Sequence, residues 1–214
     1  MEKQMIFYTP GTDLFLRPAL ATSMFSDRKK QFSDRLGWPV NIDFHQLERD
    51  QYDKLNPIYV IVQADDGSHA GSMRLMPTTG RTMINEYFLE TLGGVPINDR
   101  KTWECTRFCI SQGQSRRTAI ALFAAAGFLM RELGVEDLIA VFDEIMLRVY
   151  RNNSVLPELL GQQQKGEEKV FAGRWRFDRE FLEKLTRLSC FSADVFELGL
   201  ANSTISHDES FFAA

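Results

Sequence analysis

Short apolar runs of strand length alternate with stretches of helical period along most of this chain, and that alternation restricts it to a sheet covered by helices. Ile58-Tyr59-Val60-Ile61-Val62 is the clearest run. It is closed by Asp65-Asp66-Gly67 and followed by a partner strand from Ala70 to Met76, which predicts a hairpin. Met5-Ile6-Phe7-Tyr8, stopped by Pro10-Gly11, reads as a first strand, and residues 102–111, 138–142 and 169–177 read as later ones. Phe25, Phe32 and Leu36 recur at spacings of seven and four, so a helix is expected from Phe15 to about Leu36, ended by Gly37. Residues 39–57 carry no period and read as a long loop, a kind of segment that often carries function. Thr118–Leu133 is an Ala-rich apolar helix, with further helices expected over Asp143–Tyr150 and Asp178–Leu188 and a polar stretch at Gln162–Glu168. The order predicts a single-domain α/β/α sandwich with a mixed sheet. No Gly-x-Gly-x-x-Gly follows a strand and no Walker sequence occurs, so a doubly wound dinucleotide fold is not expected.

At 214 residues the chain suits one domain, read as residues 1–200, with a frayed tail over 201–214 that leaves Phe211-Phe212 unexplained. A net charge of -4 disfavours a nucleic-acid footprint. The cysteines (Cys105, Cys109, Cys190) and histidines (His45, His69, His207) are too few and too scattered for a disulfide framework or a metal site, so no metal is expected. No run approaches the roughly 18 apolar residues that would span a bilayer, and none resembles a signal peptide. A reduced, cytoplasmic enzyme is the expectation.

Four stretches hold residue types suited to chemistry. Arg28 and Phe32 share one helical face and Trp38 follows the stop at Gly37; a guanidinium beside aromatic rings suits a ligand with both a carboxylate and a cation. Glu48-Arg49-Asp50-Gln51-Tyr52-Asp53 crowds carboxylates into a loop, where Asp50 and Asp53 could accept from an amine or ribose hydroxyls. Arg74 lies inside an apolar strand and, if buried, needs a partner, either Glu104 or an aspartate. Glu104 and Arg107 are three apart in a strand, so regular pleating sends them to opposite faces unless the strand bulges between them. Plain packing or solvation accounts for each stretch taken alone.

Taken in order, Arg28, Phe32, Trp38, Glu48-x-Asp50-x-x-Asp53, Arg74-Leu75-x-Pro77-Thr78 and Glu104-x-x-Arg107-Phe108 resemble the acyl-homoserine-lactone synthases, the autoinducer synthases of quorum sensing. The resemblance implies a fold similar to the GCN5-related N-acetyltransferases. It also implies transfer of an acyl chain from acyl carrier protein to the α-amine of S-adenosylmethionine, then lactonisation with release of 5′-methylthioadenosine. By similarity Arg28, Phe32, Trp38, Asp50, Asp53, Arg74 and Arg107 surround the adenosylmethionine, Glu104 takes the amine proton through a water, and Arg107 shares the catalytic motif. A backbone amide near Phe108–Ile110 would serve the oxyanion. Lactonisation needs mainly geometry, so no second base is expected. Adenosylmethionine is a substrate and no cofactor is implied.

For the acyl chain, Phe123, Met130, Ala140 and Phe142 are the expected slot, and core packing explains the same residues equally well. Ala140 has no hydroxyl, which leans towards an unsubstituted chain. Acyl carrier protein is acidic and this chain is net negative, so docking needs a local basic patch; Arg116, Arg117, Arg148 and Arg151 are the candidates, although basic residues at helix ends are also ordinary capping. Arg151-Asn152-Asn153 replaces the family's common Arg-x-Gly turn. An acyl-coenzyme A donor stays open. The rivals are a coenzyme-A-dependent N-acyltransferase, whose pyrophosphate loop Gln112-Gly113-Gln114-Ser115-Arg116-Arg117 does not match, and a catalytically silent module that only binds carrier protein or adenosylmethionine.

Overall fold

The computed structural model describes residues 5–205. Seven strands form one sheet in the order β1-β2-β3-β4-β5-β7-β6. They are β1 (Met5–Pro10), β2 (Ile58–Gln63), β3 (His69–Pro77), β4 (Thr102–Ile110), β5 (Asp137–Asp143), β6 (Glu158–Lys165) and β7 (Glu168–Arg176). The first four run antiparallel to their neighbours, β4 and β5 are parallel, and β5-β7-β6 is antiparallel again, so the sheet is mixed as expected. The helices are α1 (Pro18–Lys29), α2 (Met83–Tyr87), α3 (Arg116–Glu132), α4 (Glu144–Asn152), α5 (Arg179–Ser189) and α6 (Ala193–Ala201).

The main core lies between the sheet and α3, where Ile120 to Met130 are almost wholly buried against Val60, Val62, Leu75, Trp103 and Leu138. That explains an apolar helix with so little polar face. Leu20, Ala21, Met24 and Phe25 of α1 pack on the opposite face against Tyr59 and Ile61, giving the two covering layers of a sandwich.

Two differences from the sequence reading have clear causes. The polar Gln162–Glu168 stretch belongs to the end of β6, the turn and the start of β7; β6 is an edge strand whose exposed side chains hide the strand signal. The expected Phe15–Leu36 helix breaks up into a 3-10 turn over Gly11–Leu16, α1, and a π-helical turn over Lys30–Arg35. Pro18 starts α1, as proline does at a first helical turn. At the other end of the chain, α6 runs to Ala201 and Ile205 is fully buried in the core. Phe211-Phe212 lie outside the described residues. No helix among the described residues is long and apolar enough to cross a membrane.

Parallel pairing of β4 with β5 covers only Thr102–Glu104 against Asp137–Ile139. Beyond Glu104 the two strands pair no further, and the opening between them starts at that glutamate. The site is built around this point.

Candidate active site

β4 bulges where the sequence requires it. Ser72 faces Cys109 and Arg74 faces Thr106, so a two-residue step on β3 meets a three-residue step on β4. The extra residue is at Arg107, held at φ +53°, a left-handed conformation uncommon for a residue with a side chain. The bulge turns Arg107 towards the carboxylates of the 48–53 loop, the same group that Arg74 reaches from β3.

Three guanidiniums and three carboxylates meet there. Arg28 donates from Nε to Glu48 at 2.6 Å and from both Nη atoms to Asp53 at 3.0 and 3.1 Å. Arg74 donates to Asp50 at 2.5 and 3.0 Å, to Asp53 at 2.8 Å and to the Thr106 hydroxyl at 2.9 Å. Arg107 bridges Glu48 at 3.1 Å and Asp50 at 2.8 Å. Tyr59 adds a 2.5 Å bond to Asp53. Arg28, Arg74 and Glu48 are essentially fully buried, and the paired charge is tolerated because each carboxylate oxygen of the cluster accepts from at least one guanidinium. Burial pushes the Asp53 carboxyl upward, but Arg28 and Arg74 outweigh it and hold it well below the ordinary range; Asp50 moves the same way under Arg74.

The loop carrying these acids is rigid for a local reason. Asp50 caps a 3-10 turn at Gln51–Lys54 by accepting from the amides of Tyr52 and Asp53, while the Asp53 side chain accepts from the Asp50 amide. Each aspartate thereby fixes the other's backbone.

Glu104 lies deeper, 1% exposed. It accepts backbone N–H groups from Met83 at 2.9 Å and Ile84 at 2.6 Å, the first turn of α2. Desolvation raises its pKa to about 7, partly offset by those two amides and by Arg74. Arg74, offered Glu104 or an aspartate by the sequence, is bonded to the aspartates; it influences Glu104 only through its field.

The aromatic pair is placed by the π-helical turn. Trp38 donates its amide to the Phe32 carbonyl at 2.9 Å, and the two rings stack at 5.4 Å with planes 5° apart. The guanidinium over Phe32 belongs to Arg107, at 5.6 Å, whereas Arg28 lies over Phe25 at 4.9 Å. That corrects the expectation from helical spacing, since the ion pairs draw Arg28 inward.

All seven residues expected around a small ligand, with Glu104, therefore surround one end of the sheet. Glu48, not expected as a site residue, ties Arg28 to Arg107, and its sequence signal is that it is the third carboxylate of the loop. Tyr59 was hidden within an apolar strand. Asp27 and His69 were also missed. His69 is bonded to Asp27 at 2.9 Å and to Ser72 at 2.9 Å, which fastens α1 to β3 one residue before Arg28.

Of the expected acyl slot, Phe123 and Phe142 belong to a packed group of rings with Tyr150 and Trp175, and Ala140 and Met130 are buried on the same side of the sheet. Arg116, Arg117, Arg148 and Arg151 are all exposed. Arg148 stands mid-helix, paired with Glu144 at 3.3 Å. Among the described residues no group of three or more His, Cys, Asp or Glu side chains could hold a metal ion.

The autoinducer synthase family model matches residues 14–185, a span that includes every one of these site residues. The chain belongs to the autoinducer synthase family. With the family comes its class of chemistry, acyl transfer. An acyl-homoserine-lactone synthase of Rhizobium etli is 36% identical over 159 residues, 71% of this chain and 74% of the relative. One from Pseudomonas chlororaphis is 29% identical over 78% of this chain and 85% of its own. Among solved structures, the synthase resembles a CoA-dependent acyl-homoserine lactone synthase, BjaI, with MTA (TM-score 0.79, 18% identity, 92% of this chain and 99% of that one). A putative N-acetyltransferase from Lactobacillus plantarum gives a TM-score of 0.56 at 12% identity over 82% of this chain and 99% of that one, so the synthase shares its fold with N-acetyltransferases.

Proposed function

We propose that this synthase joins an acyl chain, delivered by acyl carrier protein, to S-adenosylmethionine and releases an acyl-homoserine lactone and 5′-methylthioadenosine. The observation carrying the reading is the charge-balanced arginine–carboxylate cluster beside a buried glutamate at the point where β4 and β5 part. Such a cluster suits a zwitterionic ligand, whose carboxylate and cations exchange for partners already present. Arg107 is the arginine we assign to the methionyl carboxylate. Its side chain is 14% exposed, against 1% for Arg28 and 0% for Arg74, so it can change partners without uncovering a buried charge. Trp38, 37% exposed and backed by Phe32, offers a ring face to the sulfonium or adenine.

In the first step Glu104 takes the α-amine proton, directly or through a water. The neutral amine nitrogen then forms the amide bond to the thioester carbon as the carbon–sulfur bond breaks, and the second proton shed by the nitrogen passes to the departing thiolate, which leaves as the carrier thiol. A pKa of about 7 leaves a substantial carboxylate fraction at neutral pH while keeping useful basicity. In the second step the methionyl carboxylate attacks its own γ-carbon, and the sulfonium carbon–sulfur bond breaks to release the neutral thioether.

The test is purified protein supplied with adenosylmethionine and matched acyl-carrier-protein and acyl-coenzyme A donors, with methylthioadenosine and lactone followed by mass spectrometry. Equal release of the two products from carrier-bound donor is expected. Adenosylmethionine binding with no methylthioadenosine from any donor would make this a silent module. Paired Arg148→Glu and Arg151→Glu substitutions are expected to raise KM for the carrier-bound donor about tenfold, the effect of a few surface charges on docking. The coenzyme A donor should be unaffected, and an equal effect on both donors would remove these arginines from carrier docking.

A further inference from the structure

Resting on the reading just given, we infer that His69, buried between α1 and β3, is a positioning residue for adenosylmethionine: it fixes the end of α1 that carries Arg28 and leads to Phe32 against the strand that carries Arg74. The imidazole is 1% exposed and joins the two elements through both ring nitrogens, Nδ1 to Asp27 at 2.9 Å and Nε2 to the Ser72 hydroxyl at 2.9 Å. Its backbone amide donates to the Ser23 hydroxyl at 3.1 Å. Ser23 and Asp27 are four apart, so they lie one above the other on the face of α1 turned to the sheet. Two bonds one helical turn apart fix both how far α1 slides along β3 and how it is rotated.

The chemistry of the three groups leaves one arrangement. Burial pushes the Asp27 carboxyl upward, but hydrogen bonds from His69, Lys30 and Ser111 outweigh it and hold it at about 2, so it can only accept. Burial lowers the His69 pKa against the pull of Asp27, which keeps the ring neutral at neutral pH. The carboxylate therefore takes the Nδ1 proton, and Nε2 accepts from Ser72. Asp, His and Ser in this order also make up a nucleophilic triad, but Ser72 is 2% exposed, too enclosed for a thioester to reach. What is left to the three groups is the bonding, and both ends are satisfied only when α1 and β3 hold this one register.

That register reaches the site from both sides. Asp27 is followed by Arg28, whose bonds to Glu48 and Asp53 depend on where the end of α1 lies. Four residues further, in the π-helical turn, Phe32 stacks on Trp38 and lies under the Arg107 guanidinium. On β3, Ser72 faces Cys109 just before the bulge, and Arg74 is two residues on, on the same face of the strand. His69 itself bonds to neither the cluster nor the ring pair, so its effect is transmitted through α1 and β3.

The experiment compares the wild type with His69→Leu, which removes both ring bonds, His69→Asn, which keeps an N–H for Asp27, and Ser72→Ala. Adenosylmethionine Kd is read by calorimetry, and both KM values and kcat by methylthioadenosine release. His69→Leu is expected to raise Kd and KM for adenosylmethionine about tenfold, the lower end of what a hydrogen bond to a charged group is worth, with kcat and the donor KM changed less than about twofold. His69→Asn should bring both constants back to within about threefold of the wild type. A role in stability alone gives the opposite pattern, a lower kcat from a smaller folded fraction at unchanged KM. That result overturns the inference and leaves the synthase reading intact, as does an asparagine variant no better than the leucine one. If His69→Leu does not fold, Ser72→Ala decides: an adenosylmethionine Kd about threefold weaker, the effect of one neutral bond, supports the inference and an unchanged Kd overturns it. Because Kd is measured without a donor, a wild type that binds adenosylmethionine but makes no lactone overturns the synthase chemistry while the role of His69 is still decided. One that binds no adenosylmethionine overturns both.

Discussion

Replacing Asp53 with alanine is expected to remove about 3–5 kcal/mol of folding stability, the usual consequence of leaving buried charge without its partner. For a domain whose whole stability is about 5–15 kcal/mol, that is a large fraction. Asp53 receives both Nη atoms of Arg28, one of Arg74, the Tyr59 hydroxyl and the Asp50 amide, all within 3.1 Å. Its loss removes two bonds from Arg28 and one from Arg74, leaving Arg28 on Glu48 alone and Arg74 on Asp50 and Thr106, and it uncovers an excess of positive charge with almost no contact with water. The same change frees the Asp50 loop, so adenosylmethionine binding should fall with it. pH provides a separate signature. The folded-state pKa of Asp53 is depressed, so its contribution is present above the unfolded carboxyl range near pH 4 and is lost as pH falls further. Denaturation by urea at pH 7 and at pH 3.5 measures both effects: the wild type should lose stability on acidification and Asp53→Ala should lose less. A variant within about 1 kcal/mol of the wild type at pH 7 would show that the cluster is not a source of stability.

The parts of this molecule legible in its sequence are those where one residue type has one job. Val60, Val62 and Leu138 are apolar in short runs and become central strand, while the Ala-rich 118–133 run becomes the helix buried against them. β6 was not legible, because an exposed edge strand can be built of glutamines as readily as a loop can. The necessity of a bulge between Glu104 and Arg107 followed from pleating alone, and φ +53° at Arg107 meets it. Partner choice was not legible. Nothing in the spacing says that Arg74 takes Asp50 and Asp53 in preference to Glu104, because that depends on where the irregular loop over residues 39–57 brings its carboxylates. The Asp27–His69 contact links residues 42 apart in the chain and left no local trace.

Glu104→Gln is expected to slow amide formation by about a hundredfold or more, the lower end of what a positioned general base contributes, while changing adenosylmethionine affinity less than threefold. The structure sharpens why both quantities are needed. Both Glu104 oxygens already accept an amide from the start of α2. A carboxylate has lone pairs left over for a substrate proton, so holding α2 and acting as base are compatible. Glutamine can satisfy only one of those amides and turns its NH2 towards the other, so some stability is lost as well, about 1–3 kcal/mol. A purely structural glutamate would then lose binding and turnover together as α2 loosens. A base would lose turnover alone. The pH profile separates the two roles further. With a folded pKa of about 7, the activity of the wild type should rise through neutrality as the carboxylate forms, and that limb should vanish in Glu104→Gln. Stability runs the other way. A carboxyl whose pKa is raised on folding contributes fully below about pH 4.5, its ordinary value, and that contribution is lost as pH rises through about 7. Activity gained over the same interval in which stability declines is the pattern expected of a group kept in an apolar site for its reactivity. Parallel loss of affinity and rate in the glutamine variant would sink the base assignment and leave Glu104 as the cap of α2.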